Sequence, residues 1–298
     1  MLSKIHNLLA YCYEDNKIDK LPGIELQLFL IAVKSLMPYE DNIGCLFDVT
    51  RYEKEVELFK CYKNGIDDNL EFYYENKKPS EKEDELLEFK IIPVIIANTQ
   101  WNNLLNEALK VAVFYSINSN TILNTILISS TIDEYLNQNY VDIESINETT
   151  KERLINFSLK DFLNNNNIQI NKRSLIEFEK ERIKILSKNE LIDVELKEKF
   201  KALKYIYNEI TTENAEIISE TVLTSFSSYL LKLRKGVINP EKLKIPYGNV
   251  PEFKEFLKYS AFNHPLLGKC NVLKRGEKEV ILRTKSGLIK VNIWKFCL

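Results

Sequence analysis

Two neighbouring stretches decide the fold class: WNNLLNEALKVAVFYS at residues 101–116 and NTILNTILISSTIDEYL at residues 120–136. In both, apolar side chains recur every three to four residues, a spacing that puts them on one face of an α-helix. The earlier stretch GIELQLFLIAVKSLM at residues 23–37 is also strongly apolar, and Pro38 follows it. Because proline cannot continue a helix, that segment should end there. These stretches predict a core of packed helices and a mainly α protein.

Amphipathic stretches on either side extend the helical prediction. In TRYEKEVELFKCYKNG at residues 50–65, Thr50 can cap the helix and Glu53 can complete a capping box. Gly65 suits the stop at the C-terminal end. The same periodic pattern recurs in three later stretches, at residues 172–187, 194–210 and 212–236.

Two other segments predict departures from helix. Pro93 lies inside the apolar stretch LLEFKIIPVIIANT at residues 86–99, where it should kink or interrupt a helix. Residues 141–171 are polar and rich in asparagine, with a run of four asparagines. We expect a loop there, because polar segments without apolar periodicity are typical of loops.

The C-terminal end changes character. In CNVLKRGEKEVILRTKSGLIKVNIWKF at residues 270–296, Ile289, Val291 and Ile293 alternate with polar residues. This period of two indicates a half-buried strand, and RGEK and TKSG suit hairpin turns. The sequence therefore predicts a small β-meander of about three strands.

The chain should comprise an all-α domain at residues 1–265 and a small β appendage at residues 266–298. Residues 269–298 contain eight lysines and arginines against two glutamates, a net charge of +6. Such a basic meander can bind nucleic acid. The interpretation we favour is that it packs as a solvated sheet against the helices or completes a homodimer.

Composition excludes several protein classes. The chain has 298 residues, 45% of them hydrophobic and 28% charged, with a formal net charge of −2. This balance fits neither a disordered chain nor a globally basic nucleic-acid binder. Only eight residues are glycine, well under the usual share of about 7%. No GxGxxG or GxxxxGK[ST] motif is present, which argues against Rossmann enzymes and P-loop NTPases.

Cysteine and histidine usage argues against zinc and against serine hydrolase chemistry. There are five cysteines, no CxxC motif and two histidines, His6 and His264. No GxSxG motif is present, and we expect His264 to be structural. Unpaired thiols suit a reducing cytoplasm, where we expect the protein. No apolar run approaches 18 residues and the N-terminus looks helical, so we expect neither a membrane span, nor a membrane partner, nor a signal peptide.

A few polar side chains interrupt the apolar helical runs. Glu25 and Gln27 lie in GIELQLFLIAVKSL, and Glu220 lies in ISETVLTSF. Burying such groups is costly unless they are paired or used for function. The plainer explanation is a helix start or an exposed face, and Glu25 could simply favour the positive end of its helix.

In order along the chain, several segments resemble the ADP-ribosylglycohydrolase superfamily. ELQLFLIAVKSL at residues 25–36 resembles the family's early DTQ helix, with Glu25 at the Asp position and Gln27 at the Gln position. FKIIPVIIAN at residues 89–98 is similar to the R-x-A-P start of a core helix, with Pro93 at the proline. The resemblance implies an all-α fold.

The resemblance extends to ISET at residues 218–221, which falls on the family's DTDT motif. Glu220 and Thr221 then occupy the second carboxylate and final threonine positions. In the family, such motifs hold two Mg²⁺ ions that help to cleave ADP-ribose from a modified residue or metabolite. The segments cover roughly residues 8 to 245 of this chain.

The motifs depart from the family pattern at several positions. Ile24 and Ile218 stand at aspartate positions, and Ser116–Ile117 stands where the family has its central Thr–His pair. The side chains at the matched positions that still carry oxygen are Glu25, Ser219, Glu220 and Thr221. Two carboxylates are too few for a dinuclear Mg²⁺ site, which needs several hard oxygen ligands.

The resemblance therefore implies a non-catalytic relative that binds a nucleotide-like ligand or a protein partner, with no metal cofactor. Gln27, Ser219 and Thr221 are the candidate ligand-binding residues. The alternative is a surviving hydrolase in which Glu25 and Glu220, with Thr221, hold a single Mg²⁺ or in which the two glutamates act as acid and base. Nucleic-acid binding through the basic meander is the third hypothesis.

Overall fold

The computed structural model describes residues 1–13, 17–18, 21–40, 43–138, 142–212, 222–243 and 252–293. The described chain is mainly helical with a small antiparallel sheet near the C-terminus, as predicted. In chain order the helices are α1 Leu2–Tyr13, α2 Ile24–Lys34, α3 Val49–Phe59, α4 Asp68–Asn76, α5 Leu87–Ala97, α6 Trp101–Tyr115, α7 Ser119–Asn137, α8 Ile143–Asn156, α9 Leu159–Asn165, α10 Lys172–Leu186, α11 Val194–Lys199, α12 Lys201–Thr212, α13 Val222–Arg234 and α14 Phe253–Phe256. The strands are β1 Lys17–Ile18, β2 Leu21–Pro22, β3 Leu36–Pro38, β4 Cys45–Phe47, β5 Ala261–His264, β6 Gly268–Arg275, β7 Glu279–Thr284 and β8 Gly287–Asn292.

Helix α5 is the centre of the helical body. Every residue of α5 is buried, and helices α2, α6, α7 and α13 all pack against it. Its sequence is apolar on nearly all sides, the composition expected of a helix enclosed by others. Of the two effects predicted for Pro93, a kink or an interruption, the interruption is wrong, because α5 continues through this residue. The backbone carbonyl that Pro93 leaves without a helical donor is the carbonyl of Phe89, and the Tyr13 hydroxyl donates to it instead.

The predicted caps of α3 are wrong. The cap is Asp48, whose carboxylate accepts a hydrogen bond from the Arg51 amide at 2.9 Å, and Thr50 lies inside the first turn. The helix ends at Phe59, before Gly65. Gly65 is instead required by its φ of +139°, and a Cβ there would meet Ile24 at 2.8 Å.

The predicted loop over residues 141–171 is also wrong, because α8 and α9 occupy most of it. Each helix begins at a side-chain cap: Asp142 accepts from the Ser145 amide, and Ser158 accepts from the Asp161 amide. Sparse buried residues, among them Leu154, hold the two helices to the body. The other side chains of the two helices are polar and exposed. The sequence therefore shows too few apolar residues for a clear helical periodicity.

The C-terminal sheet has four antiparallel strands in the order β5–β6–β7–β8, one more than predicted. The additional strand β5 is short, and the predicted boundary at residue 266 falls in the turn after it. One face of the sheet contributes Cys270, Val280 and Leu282 to the main hydrophobic core. Strand β8 also lies against β2 of the helical body.

His264 ends β5 and shapes the turn to β6. Its Nδ1 accepts hydrogen bonds from the amides of Leu266 and Leu267 at 3.2 and 3.4 Å. The ring is 3% exposed and contacts Phe253 and Phe256. Burial, with the nearby Lys34 charge, lowers the pKa of His264 to about 4, so the imidazole is neutral near pH 7. The residue is structural.

No helix in the described part of the chain combines the length and apolar composition needed to span a membrane.

Candidate ligand cleft

Glu25 and Gln27, which the sequence singled out, lie in the first turn of α2. Gln27 is 3% exposed, and both ends of its amide bind backbone: Nε2 donates to the Tyr62 carbonyl at 3.3 Å, and Oε1 accepts from the Asn64 amide at 2.7 Å. Gln27 thus holds the turn after α3. Glu25 is half-buried and pairs with Lys201 of α12 at 3.4 Å.

The partner motif of Glu25 lies outside the described residues. Ser219, Glu220 and Thr221 all fall within residues 213–221, so the structure gives no distance between Glu25 and Glu220. Among the residues that the structure does describe, no three histidine, cysteine, aspartate or glutamate side chains group as a metal site. The Mg²⁺ site and its ligands remain predictions from the sequence.

A cleft of about 680 Å³ lies between α6, α8 and α9. This volume falls within the range of about 300–1,000 Å³ that is usual for ligand sites. The buried side chains of Leu105, Leu109 and Phe162 give the cleft apolar surface. Polar residues one helical turn apart also line the cleft, including Asn102 and Asn106 on α6.

Trp101 and Arg153 stack within the cleft lining. The Arg153 guanidinium carbon lies 3.9 Å from the centre of the Trp101 ring. The same guanidinium is bound by α7, where Asp133 accepts a hydrogen bond at 2.8 Å, Glu134 forms an ion pair at 3.1 Å and the Ser130 hydroxyl accepts at 3.2 Å. Two carboxylates already neutralise the Arg153 charge, so it offers little attraction to an anionic ligand.

The remaining charges of the cleft are negative. Glu152 of α8 and Asp161 of α9 are exposed, and within the described chain neither carboxylate has an ion-pair partner. Exposed amides of Asn102, Asn156 and Asn165 lie along the same opening. The cleft therefore joins apolar surface to exposed carboxylates and side-chain amides. This combination suits a ligand with an apolar group, a cationic group and polar groups that both donate and accept hydrogen bonds.

Sequence reasoning missed this cleft because it expected a loop where α8 and α9 form. The available signals were the two caps, Asp142 and Ser158, each three residues before its amide partner. Trp101 was also a signal of a binding site, because this aromatic residue begins a helix whose apolar face is flanked by asparagines. A single sequence does not show that α8 lies opposite α6.

A second polar cluster is enclosed in the core. Lys90 of α5 is fully buried, and its Nζ lies 2.7 Å from Asp67 and 2.8 Å from Asp84. Burial alone would lower the pKa of Lys90, but the two carboxylates raise it above its ordinary value. Burial also raises the pKa of Asp84, against the opposing charge of Lys90. The Lys90 ammonium lies 3.9 Å from the centre of the Tyr115 ring. Because these side chains are enclosed, we assign the cluster a structural role.

Comparison with family models, with curated proteins and with solved structures finds no match for this chain. Membership of the ADP-ribosylglycohydrolase superfamily therefore remains a prediction from the matched sequence segments.

Proposed function

We propose that this protein is a non-catalytic binding protein whose α6–α8–α9 cleft holds an extended segment of a protein partner that carries a lysine or arginine. The observation that carries the proposal is the charge of the cleft. Glu152 and Asp161 are exposed and unpaired among the described residues, whereas Arg153 is neutralised by Asp133 and Glu134. A cationic side chain would supply the missing partner.

The same charges disfavour the nucleotide-like ligand that the sequence left open. A diphosphate in this cleft would lie near Glu152 and Asp161 and would be repelled by them. Both terminal nitrogens of Arg153 already bind α7, so the guanidinium has little donor capacity left for a phosphate. Of the two ligand classes expected from the sequence, the protein partner is therefore the better supported.

The uncharged groups of the cleft fit a peptide. The side chains of Asn102, Asn156 and Asn165 each present a donor and an acceptor, the same pair that a peptide bond presents. Leu105 and Phe162 offer apolar surface to an aliphatic or aromatic side chain. An extended segment can satisfy both, because its side chains alternate between opposite sides.

The non-catalytic part of the proposal rests on the substituted motifs of the sequence. The mainly helical fold supports the proposed superfamily only at the level of fold class. A hydrolase that uses Glu25 and Glu220 with one Mg²⁺ stays the alternative. Release of ADP-ribose from an ADP-ribosylated protein in the presence of Mg²⁺ would favour that alternative.

Selection from a library of displayed nonapeptides tests the proposal. We expect recovered sequences to be enriched in lysine or arginine beside an apolar residue. Their affinity should fall about tenfold in Glu152→Gln/Asp161→Asn, because each lost charge pair is worth up to about 1 kcal/mol at an exposed site. The control is Glu148→Gln, an exposed position of α8 outside the cleft lining. Equal binding to the double variant and the control would refute the proposed site.

A further inference from the structure

A second surface, independent of the cleft, lies on the C-terminal sheet. We propose that the outer face of this sheet binds the phosphate backbone of double-stranded nucleic acid. The outer face includes the side chains of Lys269, Asn271, Lys274, Ile281, Arg283 and Lys290, which point away from the core. The same register puts Glu279, Leu288 and Asn292 on this face, so it carries one carboxylate among its cations.

The strand register brings these residues together. Asn271 of β6 is opposite Arg283 of β7, and Ile281 lies between Lys274 of β6 and Lys290 of β8. Residues directly opposite each other in neighbouring strands share a face. The buried neighbours Val280 and Leu282 point to the core, which assigns Ile281 and Arg283 to the other face. With strands about 4.8 Å apart, the cations on three strands form one patch.

The structure also shows which cations are available. Arg275 is occupied, because its guanidinium donates to the carbonyls of Leu257 and Tyr259 at 2.5 and 2.8 Å. Lys290 lies 3.9 Å from Glu279, a loose pair. Lys269, Lys274 and Arg283 are exposed, and none has an acidic partner among the described residues. These three residues are the centre of the proposed surface.

The shape and charge of the outer face select the ligand class. The patch is a series of cations on a sheet, which suits a repeating row of phosphates better than one small anion. Within the described chain, no aromatic ring lies in the patch, so it offers contact to a duplex backbone rather than stacking on unpaired bases. Ile281 and Leu288 give it little apolar area for insertion into a membrane.

Charge distribution along the chain favours approach through this face. Residues 269–298 carry +6 while the whole chain carries −2, so the rest carries −8. A duplex would therefore be attracted to the sheet and repelled by the remainder. An acidic protein surface would be attracted in the same way, so the test includes a polyglutamate competitor.

Fluorescence anisotropy with a labelled 20-base-pair mixed-sequence DNA duplex tests the proposal. We expect log K to fall with log salt with a slope of about −3 for roughly three phosphate contacts. Lys269→Gln/Lys274→Gln/Arg283→Gln should lower affinity at least about tenfold and flatten the slope. The matched control is Lys172→Gln/Arg173→Gln/Lys180→Gln, which removes the same charges from exposed positions of α10.

Thermal melting of both triple variants checks that each one folds. Loss of binding in the sheet variant, with binding kept in the α10 control, supports the site. Absence of binding at 25 mM salt would overturn the proposal, as would equal losses in the two variants. Polyglutamate that displaces the duplex at equal charge concentration would also overturn it, in favour of an acidic protein partner.

Discussion

The hydroxyl of Tyr13 in α1 donates a hydrogen bond to the backbone carbonyl of Phe89 in α5, at an oxygen–oxygen distance of 3.1 Å. In a regular helix this carbonyl would accept from the amide of residue 93. Residue 93 is proline and has no amide hydrogen. A side chain from another helix thus satisfies a carbonyl that would otherwise be buried without a partner, and α5 continues through Pro93.

This relationship predicts that Tyr13 and Pro93 are energetically coupled. Tyr13→Phe removes the hydroxyl and should lower the free energy of unfolding by about 1–3 kcal/mol, the cost of a buried unsatisfied carbonyl. In a Pro93→Ala background the same change should cost less, because an alanine at this position supplies the helical amide that proline lacks. Urea denaturation of the wild type, both single variants and the double variant gives the coupling energy. Purely additive losses would contradict this account of α5.

Replacement of Lys90 should be among the most damaging single changes in the body. Lys90→Met leaves Asp67 and Asp84 buried without their cation, and breaking a buried pair in this way costs about 3–5 kcal/mol. Lys90→Met/Asp67→Asn/Asp84→Asn should recover part of the loss, because no carboxylate then remains unpaired. Chemical denaturation measures each variant, with the exposed Lys78→Met as control. If Lys90→Met and Lys78→Met unfold at the same urea concentration, the cluster does not have the role assigned to it.

Much of this architecture follows from sequence spacing alone. Apolar periodicity predicts the helices around α5, and the alternation of Ile289 with Val291 predicts a C-terminal sheet. Strand β5 escapes prediction because AFNH shows no such alternation. Helices α8 and α9 are not predicted because most of their side chains are polar and exposed, and only a few buried residues anchor each helix.

The roles of the candidate side chains are harder to predict, because the groups that they contact are distant in sequence. Gln27 was recognisable as a polar residue in an apolar helix, but its partners are backbone groups of Tyr62 and Asn64. No spacing rule identifies such partners. The role of Arg153 likewise depends on α7, whose carboxylates lie about twenty residues earlier in the chain.

Glu88 should make the protein less stable as the pH rises toward neutrality. Its two carboxylate oxygens accept the backbone amides of Lys201 and Ala202 at the start of α12. Burial, opposed by those hydrogen bonds, raises the pKa of Glu88 from 4.5 to about 7. The folded state therefore binds a proton that the unfolded state has lost between about pH 4.5 and 7, so this group stabilises least above pH 7.

Glu88→Gln isolates this effect because glutamine does not titrate. Between pH 4.5 and 7 the unfolding free energy of the wild type should fall by roughly 3 kcal/mol relative to that of Glu88→Gln. Urea titrations at several pH values measure this difference. A difference that moves in favour of the wild type as the pH rises would contradict the assignment.

His264 should give the opposite pH dependence. Its pKa is lowered from 6.5 to about 4, mainly by burial, so the unfolded state binds a proton more readily than the folded state. Stability from this group is complete above about pH 6.5 and is lost as the pH falls toward 4. His264→Asn keeps a side-chain acceptor for the turn and does not titrate. Relative to this variant, the wild type should lose stability on acidification, and a flat difference would show that His264 is not held neutral.

The central claim, that the cleft binds a cationic peptide segment, is tested most directly at Trp101. The sequence has two tryptophans, so ¹⁹F NMR of 5-fluorotryptophan-labelled protein gives two signals, and Trp101→Phe assigns the one in the cleft. Three probes are compared: a nonapeptide pool with a central lysine, a matched pool with a central glutamate, and ADP-ribose. The account predicts that the lysine pool shifts the Trp101 signal while the other two leave it unchanged. A shift with ADP-ribose, or no difference between the two peptide pools, would contradict it.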